Sequence, residues 1–75
     1  MAKITLKQVN RAIAKAGIPL ELERGEGYHY FIYDDPARNI YETVSVYVMY
    51  TNTYTVAEWT EQAAAAYSAI TLYTH

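Results

Sequence analysis

The sequence predicts an α+β domain: a three-stranded antiparallel sheet meander with two helices on one face, in the order α-β-β-β-α. Three observations point there. Each end of the chain carries a helix-start box followed by apolar residues at helical spacing, at Thr5 to Gln8 and at Thr55 to Glu58. Between them lie three segments with strand periodicity or strand composition. Two turn signals, "GEG" and "DDPARN", separate those segments at hairpin distances. With 75 residues and no internal repeat, the span 1–75 is read as a single compact domain.

The first helix begins at Thr5, whose hydroxyl suits an N-cap, and Gln8 completes the box three residues later. Ile4 and Val9 stand where a hydrophobic staple would close. Leu6, Val9, Ala12, Ile13 and Ala16 form one apolar stripe, while Lys3, Lys7, Arg11 and Lys15 recur every four residues on another face. Gly17 provides a left-handed stop, Ile18 can fold back on Ile13, and Pro19 forbids continuation, so the helix is predicted over about residues 6–16.

In "PLELER" Leu20 and Leu22 alternate with Glu21 and Glu23, which predicts a half-buried strand. "YHYFIY" is the second strand by its aromatic and β-branched content. "DDPARN" turns the chain, with aspartates able to bond their own backbone and Pro36 presetting a dihedral. The third strand is "YETVSVYVMY", where Val44, Val46 and Val48 alternate with Thr43, Ser45, Tyr47 and Met49. Leu20, Leu22 and the three valines are expected to face the helices, with Glu21, Glu23, Thr43, Ser45, Tyr47 and Met49 on an open face. The middle strand has two parities: either Tyr28, Tyr30 and Ile32 point at the helices, or His29, Phe31 and Tyr33 do.

The second helix starts at Thr55 with Glu58 closing the box, and Tyr54 and Trp59 occupy the staple positions. Val56, Trp59, Ala63, Tyr67 and Ile70 make its stripe, and four consecutive alanines at 63–66 favour helix and close approach. "TLYTH" has no stop signal and reads either as a frayed end or as a short strand.

Composition narrows the function classes. The chain has no cysteine, which removes disulfides and thiolate metal sites and fits a reducing compartment. No apolar run reaches the ~20 residues of a membrane span and no leader-like segment opens the sequence, so a soluble cytoplasmic protein without membrane contact is expected. Eight acidic and six basic residues give a net charge of −2, divided unevenly. The charges before Pro19 are all basic, and those after it are acidic apart from Arg24 and Arg38. Nine of the aromatic residues are tyrosines, whose rings pack while their hydroxyls stay wet.

The run "VNRAIAKAGIPLELERGEGYHYF", followed by "TVSVYVMYTNTYTVAEWTEQA", resembles small proteins encoded in phage and prophage genomes. Those carry a VN-x-A-x-x-x-AGI start, an ELERG-x-GY-x-YF middle and an SVYV strand leading to an EW helix. The resemblance covers about residues 8–63 and implies a setting, the cytoplasm of an infected or lysogenic bacterial host, more than an activity. The chain departs from the pattern in "DDPARNIYE" and in its alanine-rich second helix. In size, charge and setting it is also similar to small acidic anti-CRISPR proteins as a group, which implies inhibition of a CRISPR effector.

Catalytic chemistry has little to stand on. His75 is terminal, His29 lies mid-strand, and no spacing aligns Ser45 or Ser68 with a histidine and an acid, so a non-enzyme is expected. Glu21, Glu23 and His29 lack metal-ligand spacing, and "RGEGYH" lacks a P-loop lysine, so no cofactor or metal is assigned. Aromatic sheets can stack bases, but they also need cations. Here the cations sit on the first helix and the sheet carries acids, which disfavours nucleic acid. Tyrosine beside an acidic rim suits a protein interface, set against the plainer alternative that these rings cap a thin core.

The expectation is therefore a non-enzymatic inhibitor that binds a host protein complex, as a monomer or homodimer. It would occupy a basic surface that otherwise holds nucleic acid, such as that of a CRISPR effector. Its contact residues are Glu21, Glu23, Glu26, Asp34, Asp35, Tyr47 and Tyr50. Two alternatives are a nucleic-acid-binding regulator using Lys3, Lys7, Arg11 and Lys15, and an accessory protein that homo-oligomerises through its open sheet face.

Overall fold

The computed structural model describes residues 3–73. Helix α1 (Leu6–Lys15) leads into strands β1 (Glu21–Arg24), β2 (His29–Asp35) and β3 (Ile40–Val46), and helix α2 (Val56–Tyr73) closes the described chain. The strands form one antiparallel sheet in the order β1-β2-β3, so the fold is α+β in the order the sequence predicts. The molecule is only 18 Å across its thinnest direction. That thickness corresponds to two layers, a helical one and a sheet whose other side faces water.

Local chemistry sets the helix ends. Thr5 Oγ1 accepts from Gln8 N–H at 3.2 Å and Gln8 Oε1 accepts from Thr5 N–H at 3.0 Å, closing the predicted box. Thr55 and Glu58 repeat the arrangement at 3.1 and 3.0 Å. Ile18 N–H donates to Ile13 O and Gly17 N–H to Ala14 O, with Gly17 at φ +77°, so α1 ends in a Schellman turn. Helix α2 takes in Thr71–Tyr73, which settles the start of "TLYTH" as helix; residues 74 and 75 lie outside the described residues.

The core is built around Trp59. Its ring is fully buried and meets Tyr54 edge-on at 5.1 Å, Phe31 edge-on at 6.0 Å and His29 at 5.3 Å. Val9 and Ile13 from α1, Leu22 from β1, and Ala63, Ala66 and Ile70 from α2 complete it. His29, Phe31 and Tyr33 point inward, which fixes the parity of β2 and sends Tyr28, Tyr30 and Ile32 toward the open side.

One expectation needs correction. The third strand ends at Val46 rather than Tyr50. Val48 N–H turns back to Val46 O at 2.9 Å, and the Val48 carbonyl accepts from the inward-facing His29 ring, so the chain leaves the ladder over the end of the core. The helical layer covers β1 and β2 far more than β3. No β3 side chain is fully buried, but Val44, Val46 and Val48 face inward as expected and pack, half-buried, against the core.

Candidate functional site

The open side of the sheet carries the site. The pairings Glu21–Ile32–Thr43 and Glu23–Tyr30–Ser45 run straight across it. Tyr28 packs on Tyr30 at 5.8 Å and on Tyr47 at 6.3 Å, giving three rings that touch in a row at the hairpin end. Tyr41, 63% exposed and paired with Asp34, extends the aromatic surface to the other end. Tyr47, at 86%, is the most exposed large apolar side chain among the described residues.

The glycines of "GEG" serve different needs. Gly27 sits at φ +80°, which L side chains rarely adopt. A Cβ on Gly25 would fall 2.7 Å from the Tyr28 ring, so the missing side chain is what lets that ring lie over the first strand.

Electrostatics on this face are one-sided. By strand alternation it presents Glu21, Glu23 and Asp34 and no lysine or arginine. Lys7, Arg11 and Lys15 are exposed on α1, in the opposite layer. The chain therefore divides its charge between a basic helix and an acidic, tyrosine-bearing sheet face.

Of the seven contact residues expected from sequence, Glu21, Glu23, Asp34 and Tyr47 share the open face, and Glu26 stands exposed in the turn beside it. Asp35 lies on the inward parity. It accepts from Tyr33 Oη at 3.1 Å, from Arg38 Nε at 3.0 Å and from Arg38 N–H at 3.3 Å, capping the short 3-10 turn Pro36–Arg38. Partial burial pushes the Asp35 carboxyl up. The hydrogen bonds from Arg38 and Tyr33, with the Arg38 charge, outweigh that and hold it below its usual value. The Arg38 guanidinium is raised by its hydrogen bonds to Tyr33 and Asp35. Asp35 is thus a structural cap, already matched by its own cation.

Tyr50 is also elsewhere. It lines a shallow hollow of about 500 Å³ with Lys3, Ile4, Arg24 and the Thr51–Thr53 turn. The sequence reading left the side taken by Tyr28, Tyr30 and Ile32 open and did not single out Tyr41. The signal that finds the first three is Phe31, the chain's one phenylalanine. Its ring has no polar atom to satisfy, so it belongs inside, and the alternation then sends its neighbours outward.

His29 is withdrawn from this face. It is fully buried, with Nδ1 2.9 Å from Val48 O and Nε2 2.9 Å from Thr51 Oγ1. A carbonyl can only accept, so Nδ1 carries the proton and Nε2 accepts from the threonine hydroxyl in the neutral ring. Both nitrogens are occupied, and Glu21 and Glu23 lie on the other side of the sheet. Among the described residues no three metal-ligating side chains converge, and no helix is long and apolar enough to cross a membrane. Comparison with protein-family models, with curated proteins and with solved structures finds no match to this chain.

Proposed function

We propose that the chain is a non-enzymatic binding protein whose open sheet face docks on a basic protein surface. The observation that carries this is the contiguous Tyr28–Tyr30–Tyr47 cluster flanked by Glu21, Glu23 and Asp34 without a cation among them. Tyrosines supply rigid apolar contact area with a wet hydroxyl, and carboxylates around them favour a cationic partner. Protein surfaces that are basic over such an area include those that hold nucleic acid. The resemblance to small phage and prophage proteins makes the nucleic-acid site of a host complex, such as a CRISPR effector, the specific form of this reading. The chain would then act as an inhibitor by occupying that site.

The experiment is a pull-down from bacterial lysate with the wild type, Glu21→Lys/Glu23→Lys and Lys7→Glu/Arg11→Glu, captured proteins being identified by mass. The proposal expects a nucleic-acid-handling complex captured by the wild type and by the helix variant, and lost in the strand variant with its circular dichroism unchanged. The captured complex should also be released by added nucleic acid. Equal capture by the wild type and the strand variant would sink the reading. DNA retention that disappears in the helix variant and falls steeply with salt would transfer the function to α1.

A further inference from the structure

The two edges of the sheet are treated differently. Gly25 N–H donates to Tyr28 O at 2.8 Å, which makes Gly25–Tyr28 a hydrogen-bonded pair of the first hairpin. Alternation then turns the main-chain groups of Leu22 outward, and Asn10 meets both of them. The same alternation turns His29, Phe31, Tyr33 and Asp35 toward β3, where their partners are Val46, Val44, Glu42 and Ile40. The N–H and C=O groups of Tyr41, Thr43 and Ser45 are left facing away from the sheet. Among the described residues no side chain caps them as Asn10 caps Leu22, and β3 contains no lysine, proline or glycine to blunt the edge.

We propose that this edge of β3 pairs antiparallel with the same edge of a second copy of the chain, about a two-fold axis at Thr43. The two three-stranded sheets would then join into one. The strand is self-complementary in that register. Thr43 falls opposite the partner's Thr43, Tyr41 opposite the partner's Ser45, Ile40 opposite the partner's Val46 and Glu42 opposite the partner's Val44. Residues 41, 43 and 45 of each copy exchange their outward main-chain groups, and threonine opposite threonine is a favourable cross-strand pair.

Charge excludes a neighbouring register. Glu42 is the only charged residue of β3. An axis moved by one residue to Glu42 would set the two carboxylates directly opposite each other, whereas the axis at Thr43 gives each an apolar neighbour. The inner side of the strand also asks for a cover. Ile40, Val44 and Val46 are only half-buried, and a groove of about 410 Å³ lies between β3 and α2, lined by Val44, Val46, Ala65, Ala66 and Ala69 among others. The partner's Ile40, which falls opposite Val46, would sit beside that groove, next to the partner's Glu42 opposite Val44. The pairing lies in the plane of the sheet and leaves the tyrosine face free, so it does not depend on the function proposed for that face.

Sedimentation equilibrium tests it on the intact chain, with Thr43→Pro as the first variant. The Thr43 N–H is unused within the protomer, so proline there should spare the fold while weakening association about thirtyfold or more. The chain has no cysteine of its own, so Thr43→Cys and Tyr41→Cys then read the register without relying on Thr43→Pro. Under mild oxidation Thr43→Cys should link to itself readily and Tyr41→Cys should not, because its partner across the axis is Ser45. A wild type that stays monomeric up to about 1 mM would overturn the proposal. So would a dimer that folded Thr43→Pro leaves intact, or self-linking of Tyr41→Cys as fast as that of Thr43→Cys.

Discussion

Asn10 on α1 binds both main-chain groups of Leu22 on β1: its Oδ1 accepts from Leu22 N–H at 2.6 Å and its Nδ2 donates to Leu22 O at 3.0 Å. A helix side chain thus takes the place of a further strand at one residue, and it ties the two layers together. Asn10→Ala should cost about 1–2 kcal/mol, because the site is only partly buried and water can replace some of what is lost. Denaturant unfolding would measure that cost, and hydrogen exchange should show faster exchange at Leu22 than at its β1 neighbours. An unchanged Leu22 exchange rate would mean that water already serves this edge.

His29 and Trp59 converge on one residue of the loop after β3. Thr51 gives its hydroxyl to His29 Nε2 and its carbonyl to Trp59 Nε1, the latter at 2.8 Å. The segment from Tyr47 to Tyr50 is therefore anchored by buried rings both at Val48, through its carbonyl to His29, and just past its far end at Thr51. Thr51→Val keeps the shape but removes the donor, leaving a buried ring nitrogen unsatisfied, and should cost about 1–3 kcal/mol. Ring-nitrogen chemical shifts give an independent check. They should report the proton on Nδ1 in the wild type, and a proton on Nε2 in the neutral ring would contradict the assignment.

Much of this was legible in the sequence because its cues are local. Both helix starts are set by residues three apart, and the end of α1 by Gly17 within one turn. The end of β3 was not legible, since Val48 alternates as faithfully as Val46. What stops the strand is a carbonyl taken by His29, 19 residues away along the chain. Asn10 has the same difficulty: on α1 it is one more polar position, and its partner comes into view only when β1 lies alongside. Asp35 looked like part of an acidic surface because Arg38, its cation, is recruited by a turn whose geometry the composition does not reveal.

Gly25→Ala probes whether the tyrosine cluster is positioned by backbone design. The new Cβ would lie 2.7 Å from Tyr28 Cε1, so the ring must swing away from the first strand. We expect a loss of about 1 kcal/mol, the strain of an added methyl at a packed site that can partly yield. The more specific expectation is loss of ring contacts from Tyr28 to Tyr30 and Tyr47, read by nuclear Overhauser effects. Intact contacts would show that Gly25 is not needed to seat the ring. Gly27→Ala controls for the turn itself, since its cost arises from positive φ with open space around the Cβ.

The Asp35 cap gives a pH dependence whose sign follows from the bonds it makes. Its folded carboxyl is held below the ordinary value of 3.8, so the unfolded chain binds the proton more tightly than the folded one. The contribution of this group is fully present above that ordinary value and is lost as the pH falls through the lower folded value. Asp35→Asn removes the titration while leaving a side chain that can still accept from Arg38 N–H. Thermal midpoints of the two proteins should therefore differ most near about pH 6 and draw together as the pH falls below the ordinary value of 3.8, with the wild type losing more on acidification. The other carboxylates are common to both proteins, so they cancel in this comparison. A midpoint difference that stays constant across that range would show that protonation of Asp35 does not weaken the cap.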